Sequence, residues 1–164
     1  MRERVHPIHF VIVTLLVTNL AVTMTLLVRN SLDTKVAPTN TQSLPAALTS
    51  AERARLFSNV QERFNARDPA LLYATFDEFA RAQMSESDLT AQLSQLNGLF
   101  GSIKSGVYSH FEYAGAEGER SFFKLFYNVK YSSLQFPAGR ATITVTSDGS
   151  TYGLVAFNLT AGLQ

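Results

Sequence analysis

Apolar residues follow three different patterns along the chain, and each pattern predicts a different type of element. Residues 8–28 form a continuous apolar run without Asp, Glu, Lys or Arg. Residues 49–100 place apolar side chains three and four positions apart, which is the period of an amphipathic helix. Residues 106–161 alternate apolar and polar side chains, which is the period of a half-buried strand. The order predicts one transmembrane helix, then helices, then a sheet.

The apolar run is long enough to cross a membrane. As a helix with a rise of ~1.5 Å per residue it would extend ~32 Å, which matches a hydrocarbon core of ~30 Å. A cleaved signal peptide has a shorter apolar region and ends at a small-residue site, whereas this run ends in "TLLVRNSL". We therefore expect an uncleaved anchor with a short cytoplasmic tail over residues 1–7. Basic residues flank the run equally, so the positive-inside rule does not decide its orientation.

Small and weakly polar residues form a stripe along one face of the predicted membrane helix: Thr14, Thr18, Ala21 and Thr25. Such stripes allow membrane helices to approach closely and to exchange hydrogen bonds. Threonine in a helix also bonds back to carbonyl groups of its own helix. The stripe is therefore compatible with self-association, but also with a helix that has no partner.

Residues 29–48 lose all periodicity and are rich in Pro, Thr and Asn, which predicts a flexible linker. The folded domain is expected over residues 49–164. Capping residues followed by apolar stripes predict three helices, at about 50–66, 69–83 and 86–100. Thr49 and Glu52 form a capping box before the first of them.

Alternation and turn residues predict four strands, at about 106–114, 120–132, 140–147 and 151–161. Strict alternation groups Val107 with Phe111 and Tyr113 on one face of the first strand, and Tyr108 with His110 and Glu112 on the other. Helices followed by an antiparallel meander make an α+β domain in which the helices cover one face of the sheet.

The segment "SFFKLFYNVKYS", residues 121–132, carries aromatic residues on both faces of the predicted second strand. One face is an unbroken apolar row, which we expect to contact the helices: Phe123, Leu125, Tyr127, Val129 and Tyr131. On the other face Phe122 and Phe126 alternate with Lys and Asn, which suits a half-exposed surface. Tyr108 is expected beside them on the neighbouring strand.

Composition excludes several functional classes. Charge is balanced, with 14 Lys and Arg against 13 Asp and Glu, whereas nucleic-acid binders present a strongly basic face. The chain has no Cys, so thiol catalysis and Cys-ligated zinc are excluded. Two of the three histidines, His6 and His9, flank or enter the apolar run, which leaves only His110 for chemistry in the domain. We expect no metal and no cofactor.

Acid–base catalysis would need His110 and Glu112 to share a pocket with Tyr127 and Tyr131. Alternation instead directs His110 and Glu112 away from the apolar face of the first strand. No nucleophile elbow, zinc motif or phosphate-binding loop is present in the sequence. We therefore expect that the protein is not an enzyme and has no catalytic residues.

The order of helix starts and apolar positions resembles the nuclear transport factor 2-like (cystatin-like) superfamily. The likeness is carried by "VQERFNARDPALLYATFDEF", "MSESDLTAQLSQLNGLFGSIKSG" and "YGLVAFNL", and it covers residues 50–162. It implies a cone-shaped domain with three helices packed on a curved four-stranded antiparallel sheet. Its closest likeness is to small bacterial domains that are exported or membrane-anchored. Enzymes, ligand binders and assembly modules all use this fold.

Together these observations predict a single-pass protein of the bacterial inner membrane, with the C-terminal domain on the extracytoplasmic side. The first hypothesis is a non-catalytic binding or assembly module that contacts a protein partner or itself through Tyr108, Phe122 and Phe126. The alternative is a small apolar ligand held in the cone, lined by a set of aromatic residues: Phe76, Phe123, Tyr127, Tyr131 and Phe157. An enzyme of the same fold is a third hypothesis.

Overall fold

A computed structural model describes residues 43–162 of the chain. Within them, helices precede strands along the sequence. The helices are α1 (Ser50–Ala66), α2 (Pro69–Tyr73), α3 (Glu78–Arg81) and α4 (Glu86–Phe100), and the strands are β1 (Ile103–Glu117), β2 (Arg120–Tyr131), β3 (Ala138–Ser147) and β4 (Tyr152–Ala161). The predicted α+β class is confirmed.

The two long helices begin where the sequence supplies a capping side chain. Thr49 Oγ1 accepts a hydrogen bond from the backbone N–H of Glu52 at 3.2 Å. Ser85 Oγ accepts one from the backbone N–H of Asp88 at 3.1 Å. These oxygens satisfy N–H groups that the first turn of a helix leaves without partners. The cap residues therefore fix the starts of α1 and α4.

The second predicted helix is interrupted and forms α2 and α3. Between these short helices, Phe76 is buried and forms a parallel bridge with Leu154 of β4. The backbone N–H of Asp77 donates to the carbonyl oxygen of Leu154 at 2.7 Å. The Asp77 carboxylate then starts α3 by accepting from the N–H of Phe79 at 2.9 Å. The continuous helix was a wrong prediction because these extended residues bond to the sheet instead.

The four strands form one curved antiparallel sheet in the order β1-β2-β3-β4. One face, called the inner face, packs against the helices and forms the hydrophobic core. The sheet residues with 2% exposure or less all belong to this core: Ile103, Phe123, Leu125, Tyr127, Ala141, Ile143 and Val145. The opposite face is called the outer face.

A bulge in β1 changes which side chains lie on each face. The strand pairing joins Tyr108 to Tyr127 and His110 to Phe126, so Ser109 is an extra residue on β1. One extra residue in a strand reverses the alternation of side chains beyond it. The faces predicted from strict alternation are therefore correct for residues 110–113, after Ser109, and reversed for the residues before it.

Tyr108 lies on the inner face, and Val107 lies on the outer face. The Tyr108 ring centre is 5.6 Å from that of Tyr127, which is a core residue. Val107 is paired with the outer-face residue Asn128 and is 69% exposed. Strict alternation placed Val107 on the face of Phe111 and Tyr108 on the face of His110. Both placements are wrong, because the bulge exchanges the faces of Val107 and Tyr108.

Helix and loop residues hold both edge strands of the sheet. The Ile103 backbone N–H donates to Asn65 Oδ1 at 2.8 Å, and the Ile103 carbonyl accepts from the Asn65 and Gln61 amides at 2.9 Å each. At the other edge, Leu154 is held by the Phe76–Asp77 segment. Unpaired edge groups promote association with other strands. These contacts satisfy part of each edge.

The packed domain begins before the predicted boundary at residue 49. Leu48 is 1% exposed, and its N–H donates to the Pro45 carbonyl at 2.9 Å. Leu44 packs against the same core. Residues 43–48 therefore belong to the domain, although the sequence pattern places them in the linker.

The predicted tail, membrane helix and the linker up to residue 42 lie outside the described residues. The same is true of the stripe formed by Thr14, Thr18, Ala21 and Thr25. Between residues 43 and 162, the helices are too short or too polar to cross a bilayer.

Candidate functional site

The aromatic residues predicted to line a ligand cavity are core residues. Exposure is 4% or less for four of them: Phe76, Phe123, Tyr127 and Tyr131. Phe157 is half-buried, and its ring centre lies 5.7 Å from that of Phe64. Phe57 stacks on Tyr127 with ring centres 4.6 Å apart. These rings fill the space between the helices and the sheet.

Two buried tyrosine hydroxyls bond to backbone carbonyls. Tyr127 Oη donates to the Arg53 carbonyl at 2.9 Å, and Tyr131 Oη donates to the Thr160 carbonyl at 3.0 Å. Burial raises the pKa of both tyrosines above the ordinary value of a phenol. Both hydroxyls therefore stay protonated over a wider pH range than an exposed phenol, and each donates to a backbone carbonyl.

A small cleft lies beside Tyr127, between α1 and β1. Its volume is about 190 Å³, and its lining consists of Ser50, Arg53, Ala54, Phe57, Gly106, Tyr108 and Tyr127. The Arg53 guanidinium lies 4.5 Å from the centre of the Tyr108 ring and donates through Nη1 to the Leu48 carbonyl at 2.7 Å. Sites for small molecules typically enclose ~300–1,000 Å³. This cleft has room for about one side chain.

The outer face carries an exposed area that reaches across all four strands, and we call it the open face. It consists of Val107, His110, Glu112, Lys124, Phe126, Asn128, Lys130, Arg140, Thr142, Asn158 and Thr160. The strand pairing aligns them in rows, such as Val107 with Asn128, Arg140 and Thr160. Most of its members are exposed to solvent. The open face is therefore accessible to a partner.

Phe126 lies at the centre of the open face but is covered by its neighbours. Its exposure is 8%. The His110 ring stacks on it, with centres 4.6 Å apart and planes at 15°. The Arg140 guanidinium lies 5.4 Å from the Phe126 ring centre. The prediction that Phe126 is half-exposed is therefore wrong, because the side chains of His110 and Arg140 cover its ring.

Phe122 is on the outer face but outside the open face, because α3 covers it. The Phe79 ring of α3 lies 5.8 Å from the Phe122 ring, and the Arg120 guanidinium lies 5.4 Å from the Phe79 ring centre. Arg120 Nη1 also lies 3.6 Å from Asp77 Oδ1. The structure therefore separates the three predicted interface residues. Tyr108 is on the inner face, Phe122 is under α3, and Phe126 is in the open face.

Cationic side chains outnumber acidic ones on the open face. Lys124, Lys130 and Arg140 are its basic residues, and Glu112 is its acidic residue. Glu112 Oε1 lies 3.7 Å from His110 Nε2. Amide and hydroxyl groups of neighbouring residues lie between these charges. The open face therefore combines positive charge with hydrogen-bonding groups, around one covered aromatic ring.

The sheet divides the residues that an acid–base site would need. His110 and Glu112 lie on the outer face, with 46% and 59% of their side chains exposed. Tyr127 and Tyr131 lie in the core on the inner face. The four side chains therefore do not share a pocket. No group of His, Asp and Glu within the described part of the chain is arranged to hold a metal ion.

Comparisons with known proteins identify distant similarities in structure. No protein-family model and no curated protein sequence matches the chain. The structure is similar to that of Aln2 from a Streptomyces species, with 14% identity, a TM-score of 0.47, and coverage of 73% of this chain and 94% of that one. It is also similar to Bd1075 from Bdellovibrio bacteriovorus, with 14% identity, a TM-score of 0.41, and coverage of 70% of this chain and 41% of that one.

Proposed function

We propose that this protein is a membrane-anchored, non-catalytic module that binds a protein partner in the bacterial cell envelope. The observation that carries the proposal is the contrast between the two faces of its sheet. The inner face is packed with aliphatic and aromatic side chains. The open face is exposed across four strands and carries charged and hydrogen-bonding groups. A filled interior with an accessible surface suits protein binding better than ligand storage.

The anchor and the family form part of the same proposal. The apolar run over residues 8–28 supports a single membrane span. We place the domain on the extracytoplasmic side, which is the usual outcome for an anchor that follows a short N-terminal tail. A curved four-stranded antiparallel sheet whose inner face packs against helices supports membership of the nuclear transport factor 2-like superfamily. An anchored domain meets its partner at a raised effective concentration, because both are confined to one membrane surface.

The alternative of an apolar ligand in the interior has less support. A ligand in the core would have to displace rings such as Phe123 and Tyr127, which are 1% and 2% exposed. Opening a well-packed core costs several kcal/mol, on the order of 3–5 for each large aromatic side chain that loses its contacts. The cleft beside Arg53 is smaller than typical ligand sites.

A bulky substitution in the open face tests the proposal. Asn128 is exposed on β2, so Asn128→Trp would fill part of the open face without disturbing the core. Gln92→Trp on the exposed side of α4 is the matched control. We expect the wild-type protein and the control to migrate in a complex on a native gel of solubilised membranes, and Asn128→Trp to migrate as the free protein. Equal migration of the two variants would contradict the proposal.

A further inference from the structure

The open face carries an excess of positive charge, and this charge limits the classes of partner that it can bind. Lys124, Lys130 and Arg140 lie on it, and Glu112 is the acidic residue among its members. Glu112 is also the residue that approaches His110. Charges at a binding surface steer association and exclude partners of the same sign. A partner that fits this face must therefore present negative charge.

We propose that the open face binds an acidic surface of a partner protein, with Lys130 and Arg140 as the main contacts for carboxylates. This inference rests on the proposed function and specifies the chemistry of the partner at the same site. Both side chains are exposed, and neither forms an ion pair among the described residues. They are therefore available to an incoming acidic group.

Arg140 lies against an aromatic ring and is exposed to solvent, so a carboxylate can reach it. Its guanidinium lies 5.4 Å from the Phe126 ring centre, at a distance typical of a cation–π contact. A planar guanidinium that rests on a ring retains donors along its edges, which match a carboxylate in a two-bond arrangement. The amides of Asn128 and Asn158 lie on neighbouring strands and add donors and acceptors.

A second copy of this chain in a face-to-face dimer fits the open face less well. In a symmetric dimer the same surface contacts itself, so the basic residues of one copy would face those of the other. Like charges brought together across an interface are unfavourable. With three basic residues and one acidic residue, Glu112, on each copy, such a dimer would bring an excess of like charge together.

A lipid surface or a nucleic acid also fits less well. Segments that bind anionic membranes by charge usually cluster ~4–8 Lys or Arg residues, more than the open face carries. Sequence-independent nucleic-acid binders stack bases on exposed aromatic rings. Phe126 is covered by His110 and Arg140, so its faces are not available for stacking.

The test uses the full-length protein in nanodiscs of neutral lipid, with fluorescently labelled poly-L-glutamate as the probe. We expect saturable binding that weakens as the salt concentration rises, because the contacts are charged. Lys130→Glu should weaken binding about three- to ten-fold, as expected for reversal of an exposed interface charge. The control is Arg81→Glu, the same charge change at an exposed residue of α3, and should change binding by less than about two-fold.

Arg140→Lys separates geometry from charge. The substitution keeps the positive charge but removes the planar guanidinium. We expect it to weaken binding of poly-L-glutamate more than Arg81→Glu does and less than Lys130→Glu does. Equal effects of Lys130→Glu and Arg81→Glu, or no binding of poly-L-glutamate, would overturn the inference. Binding to phosphatidylserine vesicles in place of the polypeptide, with the same sensitivity to Lys130→Glu, would overturn it in favour of a membrane surface. In each of these cases, loss of the native-gel complex in Asn128→Trp would still support the proposed function.

Discussion

At residue scale, Gly106 is required by close packing between α1 and β1. A Cβ atom at this position would lie 2.1 Å from Cζ of Phe57 and 2.6 Å from Cε1. Phe57 is buried and stacks on Tyr127, so its ring cannot move without disturbing the core. Overpacking of this kind costs about 1–3 kcal/mol.

Alanine substitution at two glycines tests this packing. Gly106→Ala should lower the free energy of unfolding by about 1–3 kcal/mol in urea titrations. Gly98 lies within α4, and a Cβ atom there would meet nothing within 4 Å. Gly98→Ala should therefore raise the free energy of unfolding by about 0.5–1 kcal/mol. Equal changes at the two positions would show that the contact with Phe57 is not the cause.

The buried tyrosines Tyr127 and Tyr131 predict a loss of stability at alkaline pH. Burial raises the pKa of both hydroxyls in the folded state, while in the unfolded chain they titrate near pH ~10. Above that pH the unfolded chain releases protons that the folded chain retains, so the free energy of unfolding falls as pH rises. Below pH ~10 both hydroxyls are protonated in the folded and the unfolded state, so their contribution to the free energy of unfolding does not change with pH.

Urea titrations between pH 8 and 11 measure this effect. The urea midpoint of the wild-type protein should fall above about pH 10. Tyr127→Phe should show a smaller fall, because one of the groups responsible has been removed. At neutral pH the same variant should lose about 1–2 kcal/mol, since the hydrogen bond from Tyr127 Oη to the Arg53 carbonyl is removed. An identical pH profile in the variant would contradict the assignment.

At the scale of elements, Asn65 of α1 holds the edge strand β1. Its side chain both accepts from the N–H of Ile103 and donates to the carbonyl of the same residue. Gln61 donates to that carbonyl as well. Asn65→Ala leaves the Ile103 N–H without its partner, whereas Gln61→Ala leaves Ile103 with both bonds to Asn65.

We expect Asn65→Ala to lower the free energy of unfolding by about 1–3 kcal/mol, and Gln61→Ala by about 1 kcal/mol or less. Hydrogen exchange of the Ile103 amide gives a local measurement, and it should accelerate in Asn65→Ala more than in Gln61→Ala. Faster exchange in Gln61→Ala would show that the edge is held differently.

Element starts could be predicted from sequence where the interaction is local. Thr49 and Ser85 cap helices through N–H groups three residues away, so the signal lies within one turn. The break before α3 depends on Leu154, which is distant in sequence from Phe76. No local pattern encodes that pairing.

The candidate site was harder to predict than the fold. The two faces of β2 were assigned correctly, because this strand alternates without a bulge. The bulge at Ser109 moves Tyr108 to the inner face and Val107 to the outer face. The covering of Phe126 depends on side chains from two other strands, His110 and Arg140. Both features come from strand pairing rather than from composition.

At the scale of the whole molecule, charge is balanced but its distribution is not. The chain has a formal net charge of +1, yet Lys124, Lys130 and Arg140 lie together on one face of the sheet. The opposite face is covered by helices and packed with aromatic rings. The open face is therefore an accessible surface with an excess of positive charge, and we propose that this surface binds the partner.

The most direct test places a photo-crosslinking amino acid at Asn128, and separately at Gln92, in the full-length protein in native membranes. Both positions are exposed, but only Asn128 lies in the open face. We expect a discrete crosslinked product from position 128 and none of the same size from position 92. The same product from position 92, or none from position 128, would contradict a partner bound at the open face.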